Sequence, residues 1–349
     1  MKNIHLTIHK IRHWEYWPYQ ILYIPAYLQY IYYVTRTGSF FYFNASNPSF
    51  KNGGFFMGSK KEIYDLIPQQ YYPKTLLLQV KENTNIDIVQ SKIKEAGITF
   101  PLIAKPNIGL RGTAVKKIDT ILDLKNYIQN ADFDFLIQEL IPYKNEIGLF
   151  YVKLPKQEKG FITGIVSKEF LNVEGNGIHT IRELLKKDPR FELQIPALEK
   201  EIRDRMDIVL KDNEKINLVP YGNHCRGTKF IDTSSHITPK ITTLFNHVCS
   251  QIKGFYFGRL DIMYNSFDDL EQGKNFQIVE INGAISEPSH MYDPKHHLIY
   301  AWKEIIRHFH YMYLISEENH KKGTKYLTFK EGVEAFKSNR KHYKSILKF

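Results

Sequence analysis

The order of hydrophobic and polar positions along this chain predicts a mixture of strands and helices. The apolar strand FPLIAKP is followed by a glycine-bearing loop, a returning strand AVKKI, an amphipathic helix DTILDLKNYIQNA and a further strand DFLIQELI. The segments GNGIHTIRELLKK and SKKEIYDLI predict helices whose N-caps are Thr180 and Ser59. Interleaved elements of both kinds are typical of an α/β or α+β protein.

Two apolar segments late in the chain predict a hairpin. FYFGRLDIMY (residues 255–264) and FQIVEINGA (residues 276–284) are joined by the polar segment NSFDDLEQGKN. Both segments are rich in β-branched and aromatic residues, which favour strands, and the polar connection is typical of a turn. We therefore expect these two strands to pair antiparallel.

Polar side chains on this hairpin form a predicted magnesium site. Residues i and i+2 of a strand point to the same face, so Arg259 lies beside Asp261, and Glu280 lies beside Asn282. Antiparallel pairing brings the side-chain oxygens of Asp261, Glu280 and Asn282 close together. Mg²⁺ binds few protein oxygens and is usually completed by water and substrate phosphates. The hairpin predicts a site for Mg²⁺ (or Mn²⁺) and a nucleotide; ordinary polar strand ends are the alternative.

A glycine-containing loop earlier in the chain is a candidate phosphate site. Lys105 ends a predicted strand, and in the following PNIGLRG the residues Gly109 and Gly112 allow backbone N–H groups to approach phosphate oxygens closely. The loop matches neither G-x-x-x-x-G-K-[ST] nor G-x-G-x-x-G. A Lys-Pro before a glycine turn is more often a plain β-turn, so this loop alone does not define a site.

Composition indicates a globular protein with a basic surface. The chain has 349 residues, 43% of them hydrophobic, and a formal net charge of +11. Its length allows two or three sub-domains, and its charge fits a protein that handles nucleotides or one that rests on an anionic surface. It contains no recognisable nucleic-acid motif, so nucleic acid is not an expected partner. Two cysteines and no signal-peptide pattern predict a cytoplasmic protein. The sequence leaves the oligomeric state open.

The N-terminal and C-terminal segments suggest surface contacts. Residues 16–35, YWPYQILYIPAYLQYIYYVT, contain no charged residue. An uncharged stretch of this length is as long as a membrane span. Their prolines, glutamines and tyrosines favour a packed helix or interface, with peripheral contact at the inner membrane surface as the second interpretation and a span as the third. The Lys- and Arg-rich tail after Asn319 predicts a solvated terminal helix, or otherwise a partner or membrane contact.

The order of these elements resembles the ATP-grasp superfamily of carboxylate–amine ligases. The resemblance covers about residues 57–300 and includes LIAKPNIGLRGTAVKKI and LIQELIPYKNEIG. In the last third, GRLDIMY and VEINGAISEPSH are most similar to D-alanine–D-alanine ligases. The segment VEGNGIHTIREL (residues 173–184) is similar instead to cyanophycin synthetases and related amino-acid ligases, with Asn176 in place of an acid.

The resemblance implies the ATP-grasp fold, in which two α+β sub-domains clasp ATP behind a short divergent N-terminal region. The expected boundaries are 1–75 for the aromatic N-terminal region, 76–145 for the first sub-domain with the phosphate hairpin and hinge, 146–315 for the second sub-domain with the metal and reaction centre, and 316–349 for the basic C-terminal tail.

The resemblance also implies roles for individual residues. The implied metal ligands are Asp261, Glu280 and Asn282. The implied reaction-centre residues are Arg259, which stabilises developing charge, and Ser289 and His290, which line the acceptor pocket or simply form a turn. The implied ATP-binding residues are Lys60 (with Lys61 competing for its place), Lys105, Gly109, Gly112, the adenine hinge Glu139, Leu140 and Ile141, the ribose carboxylate Glu146, the further phosphate candidate Lys168, and Arg226 or Lys229 in a loop over the phosphates.

The implied activity is ATP-dependent amide formation through an acyl phosphate. The expected substrates are an amino acid, peptide or similar small carboxylate and a small amine. Met291 stands where D-alanine–D-alanine ligases carry a serine for the second substrate, which puts D-alanyl-D-alanine in doubt as the product. The alternative is a catalytically inactive nucleotide-binding or membrane-surface docking module of the same fold.

Overall fold

A computed structural model of the protein describes residues 4–56, 58–80, 85–109, 112–219 and 227–349. The strands are β1 (Thr75–Leu78), β2 (Leu102–Pro106), β3 (Lys116–Ile118), β4 (Phe135–Glu139), β5 (Asn145–Val152), β6 (Phe161–Glu169), β7 (Asn172–Glu174), β8 (Lys215–Asn217), β9 (Lys229–Asp232), β10 (Phe257–Tyr264) and β11 (Phe276–Asn282). The helices are α1 (Ile4–Arg12), α2 (Tyr19–Leu22), α3 (Ile24–Thr37), α4 (Lys60–Tyr64), α5 (Ile86–Glu95), α6 (Ile121–Asn130), α7 (Ile181–Leu185), α8 (Pro189–Glu192), α9 (Ile195–Ile202), α10 (Pro239–Ser250), α11 (Phe267–Glu271), α12 (Leu298–Lys321) and α13 (Phe329–Ile346).

The first sheet is antiparallel and has the strand order β1-β4-β2-β3. Its core holds Leu102 of β2 and Ile137 of β4 against Val89 of α5 and Leu124 of α6. Helix α6 begins with a capping box in which Thr120 accepts a hydrogen bond from the backbone of the third helical residue. This packing fixes β2, whose end carries the glycine-containing loop.

The second sheet is also antiparallel and has the order β11-β10-β5-β6-β9. Alternate residues of its strands bury Leu149, Leu260 and Ile281 against a core that includes Phe245 and Val248 of α10. The predicted hairpin is confirmed, because β10 and β11 pair antiparallel with Asp261 opposite Glu280. A third, two-stranded sheet pairs β7 with β8, also antiparallel. These sheets and their helices confirm the expected mixed α/β class.

The N-terminal helices pack on the long helix α12. The Tyr33 ring of α3 stacks on the Tyr313 ring with centroids 4.0 Å apart, and Gln29 Nε2 donates a hydrogen bond to the carbonyl oxygen of Ile306. Residues 16–35 therefore contain packed helices, which was their first interpretation. Within the described ranges, no helix combines the length and apolar character needed to cross a membrane.

The C-terminal tail forms the predicted helix, but its end is not solvated. Ile346 is only 1% exposed and belongs to the core of the first sheet. The Phe349 ring lies 4.8 Å from the Tyr127 ring of α6, and His342 Nε2 donates to the carbonyl oxygen of Ile108 at 3.0 Å. The end of the helix is buried because Ile346 and Phe349 are apolar and pack into the core of the first sheet, whose other residues lie more than 200 positions earlier in the chain.

Candidate functional site

Charged side chains meet on one face of the second sheet. Lys168 Nζ lies 2.5 Å from Glu146 Oε1 and 3.1 Å from Asp261 Oδ1. Arg259 binds the same carboxylate through two hydrogen bonds, Nε to Oδ1 at 2.9 Å and Nη2 to Oδ2 at 3.0 Å. Only 5% of the Lys168 side chain and 6% of the Asp261 side chain are exposed. The arrangement is a largely buried ion cluster.

Strand register brings this cluster together. Asp261 of β10 lies opposite Gly148 of β5, which in turn lies opposite Val166 of β6, so the three share one face of the sheet. Glu146 and Lys168 are two residues away on their strands and point to that same face. A Cβ at Gly148 would lie 3.0 Å from Arg259 Cδ, so glycine at this position leaves room for the arginine to cross β5.

Electrostatics keep the central groups of the cluster ionised. Burial raises the pKa of Asp261, but the charges of Arg259 and Lys168 outweigh it and hold this pKa at about 2. Burial likewise lowers the pKa of Lys168, and the two carboxylates beside it more than restore it. Burial raises the pKa of Glu146. Asp261 is therefore a carboxylate over the whole physiological pH range.

The three predicted metal ligands lie together, and their donors suit a hard cation. Asn282 Nδ2 lies 3.4 Å from Asp261 Oδ2, and Glu280 faces Asp261 across the strand pair. Across the described ranges, no group of three His, Cys, Asp or Glu side chains is arranged to hold a metal ion. The candidate set would be the two carboxylates and the amide oxygen of Asn282, whose amide nitrogen faces Asp261 in the structure, and substrate oxygens and water would complete it.

Lys60 links the glycine-containing loop to this strand pair. Its Nζ donates to the carbonyl oxygen of Gly109 at 2.8 Å and lies 2.9 Å from Glu280 Oε1. Its backbone N–H donates to the carbonyl oxygen of Asn107 at 2.8 Å. Lys61, which competed with Lys60 in the sequence, pairs instead with Asp65, the C-cap residue of α4. Lys60 is the lysine of this pair that reaches the site.

Lys105 is buried between the two sheets rather than open to the surface. It is 5% exposed, and its Nζ donates to Tyr64 Oη and to Gln138 Oε1, both at 2.9 Å. Burial lowers the pKa of Lys105 to about 8, and Glu280 offsets part of that effect. Sequence reasoning missed Tyr64 and Gln138; the signal for Gln138 was a lone amide in the middle of the apolar strand LIQELI.

The glycines and the hinge occupy the connections around the site. Gly112 has a φ of 72°, a left-handed conformation that other residues rarely adopt. Glu139 ends β4, and its Oε1 accepts a hydrogen bond from the Lys74 backbone N–H at 2.8 Å. Leu140 is 39% exposed and Ile141 is buried. Glu139, Leu140 and Ile141 lead from the first sheet to β5 of the second, and their contact with adenine stays a prediction.

Ser289 and His290 are buried in a 3₁₀ turn, Ser289–Tyr292. Ser289 Oγ accepts a hydrogen bond from Arg259 Nη1 at 2.7 Å, so it touches the ion cluster. His290 Nε2 lies 3.1 Å from Glu304 Oε2, and its ring packs directly on Gly164 of β6. Ser289 positions the arginine, whereas His290 joins a second buried group under α12. Their role toward an acceptor stays a prediction.

The two basic candidates for the loop over the phosphates, Arg226 and Lys229, have different outcomes. Arg226 lies outside the described residues. Lys229 lies opposite Glu169 in the pairing of β6 with β9, and its Nζ is 3.9 Å from that carboxylate. Lys168 lies opposite Phe230, so Lys168 and Lys229 point to opposite faces of the sheet. Lys168 is on the face of Asp261, and Lys229 is not.

A cleft lies beside the candidate metal ligands. Its walls are residues of the segments 49–56 and 58–64 on one side and the end of β11 on the other. Lys60, Gly109, Glu280 and Asn282 all contribute to the lining, together with apolar side chains such as Phe56. The cleft thus joins the glycine-containing loop and the carboxylates in one solvent-accessible space.

Comparisons with known proteins give distant structural similarities. No protein-family model matches this sequence, and no characterised protein sequence matches it. The structure is similar to VanG D-Ala:D-Ser ligase from Enterococcus faecalis, with 14% identity, a TM-score of 0.43 and coverage of 75% of this chain and 62% of that one. D-alanine–D-alanine ligase from Bacillus anthracis is 15% identical with a TM-score of 0.41, and the match covers 76% of this chain and 69% of that one. A bifunctional glutathione synthetase from Pasteurella multocida is 11% identical with a TM-score of 0.36, and the match covers 69% of this chain and 37% of that one. This chain therefore spans less than two thirds of the VanG and glutathione synthetase chains, and similarities this distant decide nothing about activity.

Proposed function

We propose that this protein is an ATP-dependent carboxylate–amine ligase of the ATP-grasp kind. With Mg²⁺ (or Mn²⁺), the γ-phosphoryl group of ATP would pass to a small carboxylate, such as that of an amino acid or peptide, and ADP would be released. An amine would then attack the acyl phosphate, displace inorganic phosphate, lose a proton and form an amide. The observation that carries the proposal is the cluster in which Arg259 and Lys168 bind Asp261 beside Glu280 and Asn282.

The concentration of cations at the site suits a phosphate-bearing ligand. Lys60, Lys105, Lys168 and Arg259 lie among four carboxylates, Glu146, Asp261, Glu280 and Glu287, the last of which interacts with Arg259. The carboxylates equal the cations in number, so the polyphosphate of a nucleotide would bind by replacing some of them as partners of the lysines and the arginine.

Individual side chains can perform the positioning that this chemistry needs. Asp261 and Ser289 fix the guanidinium of Arg259, and a pre-placed arginine stabilises negative charge that develops on phosphate and carbonyl oxygens. Asp261, Glu280 and Asn282 would hold the metal, which supplies charge neutralisation on the phosphates. Lys60 connects the glycine-containing loop to Glu280, so the loop and the metal ligands are held together.

Other parts of the proposal rest on the sequence resemblance. They are the hinge contact of Glu139, Leu140 and Ile141 with adenine, the ribose contact of Glu146, the four domain boundaries, the similarity of residues 173–184 to cyanophycin synthetases, and the small carboxylate and amine substrates. A cytoplasmic location is a separate prediction from the cysteine content.

ADP release tests the proposed function. Protein with MgATP is supplied with pools of amino acids, dipeptides and other small carboxylates, alone and with amines. We expect turnover that needs one acid and one amine and is lost in Glu280→Gln. The matched control is Glu158→Gln, which changes an exposed carboxylate in a surface loop. Turnover equal in both variants, or independent of any acid, would contradict the assignment.

A second candidate is a nucleotide-binding module without chemistry. One observation favours it, because both oxygens of Asp261 are already bound by Arg259 and Lys168 within the protein. A site that is satisfied internally requires rearrangement before it can hold a metal. Tight MgATP binding by calorimetry without stimulated turnover by any pool would establish this candidate instead.

A further inference from the structure

Helix α3 is apolar on both of its sides although it lies at the surface. Ala26 and Tyr33 are buried toward α12. The opposite side exposes Ile24 (53%), Tyr27 (40%), Leu28 (70%), Ile31 (58%) and Tyr32 (58%). Their spacing of three and four residues places them on one helix face. A helix that is hydrophobic all round is normally covered on all sides, so the outer face of α3 requires a partner.

Exposed apolar residues continue from α3 onto its neighbours. On α12, Ile306 is 38% exposed, and its carbonyl oxygen accepts the hydrogen bond from Gln29 of α3. One turn earlier, the Trp302 indole donates to the carbonyl oxygen of Leu22 in α2. We call the outer face of α3 together with Ile306 of α12 the N-terminal apolar surface. Helix α1 also exposes Ile4, Ile8 and Ile11, at a spacing of four and three residues.

Cations predominate among the exposed charges around this surface. Glu15 is the only acidic residue between residues 4 and 37, and its carboxylate is 6% exposed and lies 2.5 Å from Arg190. The exposed cations are Lys10, Arg12 and Arg36, with Lys303 and Arg307 on α12. Glu317 of α12 interacts with Arg36, and its side chain is 32% exposed. Exposed isoleucine, leucine and tyrosine side chains bordered mainly by cations match the chemistry of an anionic lipid headgroup layer.

We propose that the N-terminal apolar surface binds the surface of an anionic lipid bilayer, with α3 lying in the plane of the headgroups. Apolar side chains would enter the boundary between headgroups and acyl chains, and the cations would contact lipid phosphates. A second copy of this chain is the poorer occupant, because a twofold interface places the same surface against itself and would bring together more cations than acids. The proposal does not depend on the activity of the site between the sheets.

Vesicle sedimentation tests the proposal with the full chain. Vesicles of phosphatidylcholine with phosphatidylglycerol are compared with phosphatidylcholine alone, at low and high salt. We expect binding to the anionic vesicles that weakens with salt. Leu28→Gln with Ile31→Gln should reduce the partition coefficient by about tenfold or more, and Lys303→Gln by about fivefold.

The matched control removes exposed apolar side chains elsewhere. Leu122 of α6 is 63% exposed and Ile178 is 75% exposed, so Leu122→Gln with Ile178→Gln makes the same chemical change outside the surface. This control should bind as the unmodified chain does, and thermal unfolding checks that each variant folds. Failure of the unmodified chain to bind anionic vesicles, or equal binding by both double variants, would overturn the proposal. A dimer in light scattering that only the α3 variant abolishes, without vesicle binding, would assign the surface to a second copy.

Discussion

Asp261→Asn is the substitution that most directly probes the buried ion cluster. Asparagine keeps the size of the side chain and removes the charge that Arg259 and Lys168 share. The pKa of Asp261 falls from 3.8 to about 2 in the folded protein. A lowering of this size corresponds to about 2 to 3 kcal/mol in favour of the charged form. Removing one partner of a buried ion pair typically costs about 3 to 5 kcal/mol. We expect a loss of about 2 to 4 kcal/mol of unfolding free energy at pH 7.

Urea denaturation of both proteins measures this loss, and its pH dependence has a defined sign. Because the pKa of Asp261 is depressed, its carboxylate contributes fully above the unfolded value of 3.8, and the contribution is lost as the pH falls toward about 2. The difference between the two proteins should therefore be constant from pH 7 to about 5 and shrink below pH 4.

The matched control is Asp65→Asn. Asp65 pairs with Lys61 on one face of α4, and 54% of its side chain is exposed. Surface pairs of this kind contribute about 0 to 1 kcal/mol. If Asp261→Asn lowers the free energy of unfolding no more than Asp65→Asn does, Asp261 does not stabilise the folded protein through Arg259 and Lys168. The role of the ion cluster as a pre-organised centre is then refuted.

Three further predictions address other parts of the molecule. Burial holds the pKa of Lys105 at about 8, so about half of the Lys105 side chains are neutral at pH 8. A bound phosphate would favour the protonated form, and nucleotide binding at pH 8 should therefore take up about half a proton. Calorimetry in several buffers measures this uptake, which Lys105→Met should abolish. Gly164→Ala should cost at least about 2 kcal/mol in urea denaturation, since its Cβ would lie 2.1 Å from a buried histidine ring, whereas Gly58→Ala, with nothing within 4 Å, should be neutral. Ile346→Ala should cost about 2 to 5 kcal/mol, and Leu347→Ala, 57% exposed, under about 0.5 kcal/mol; equal urea midpoints for these two would separate the tail from the core.

The sequence by itself determined the local features of this protein. The hairpin that pairs Asp261 with Glu280 and the N-caps Ser59 and Thr180 all follow from residues a few positions apart. Strand alternation and helix capping are short-range effects, so a single sequence specifies them without knowledge of the remaining chain.

Only the tertiary structure decided which distant residues meet. Lys60 rather than Lys61 reaches Glu280, and Lys168 rather than Lys229 reaches Asp261. A shift of one residue turns a side chain to the other face of a helix or sheet, and that register is set by packing between elements far apart in the chain. For the same reason, the burial of Ile346 in the first sheet was hidden in a tail that reads as solvated.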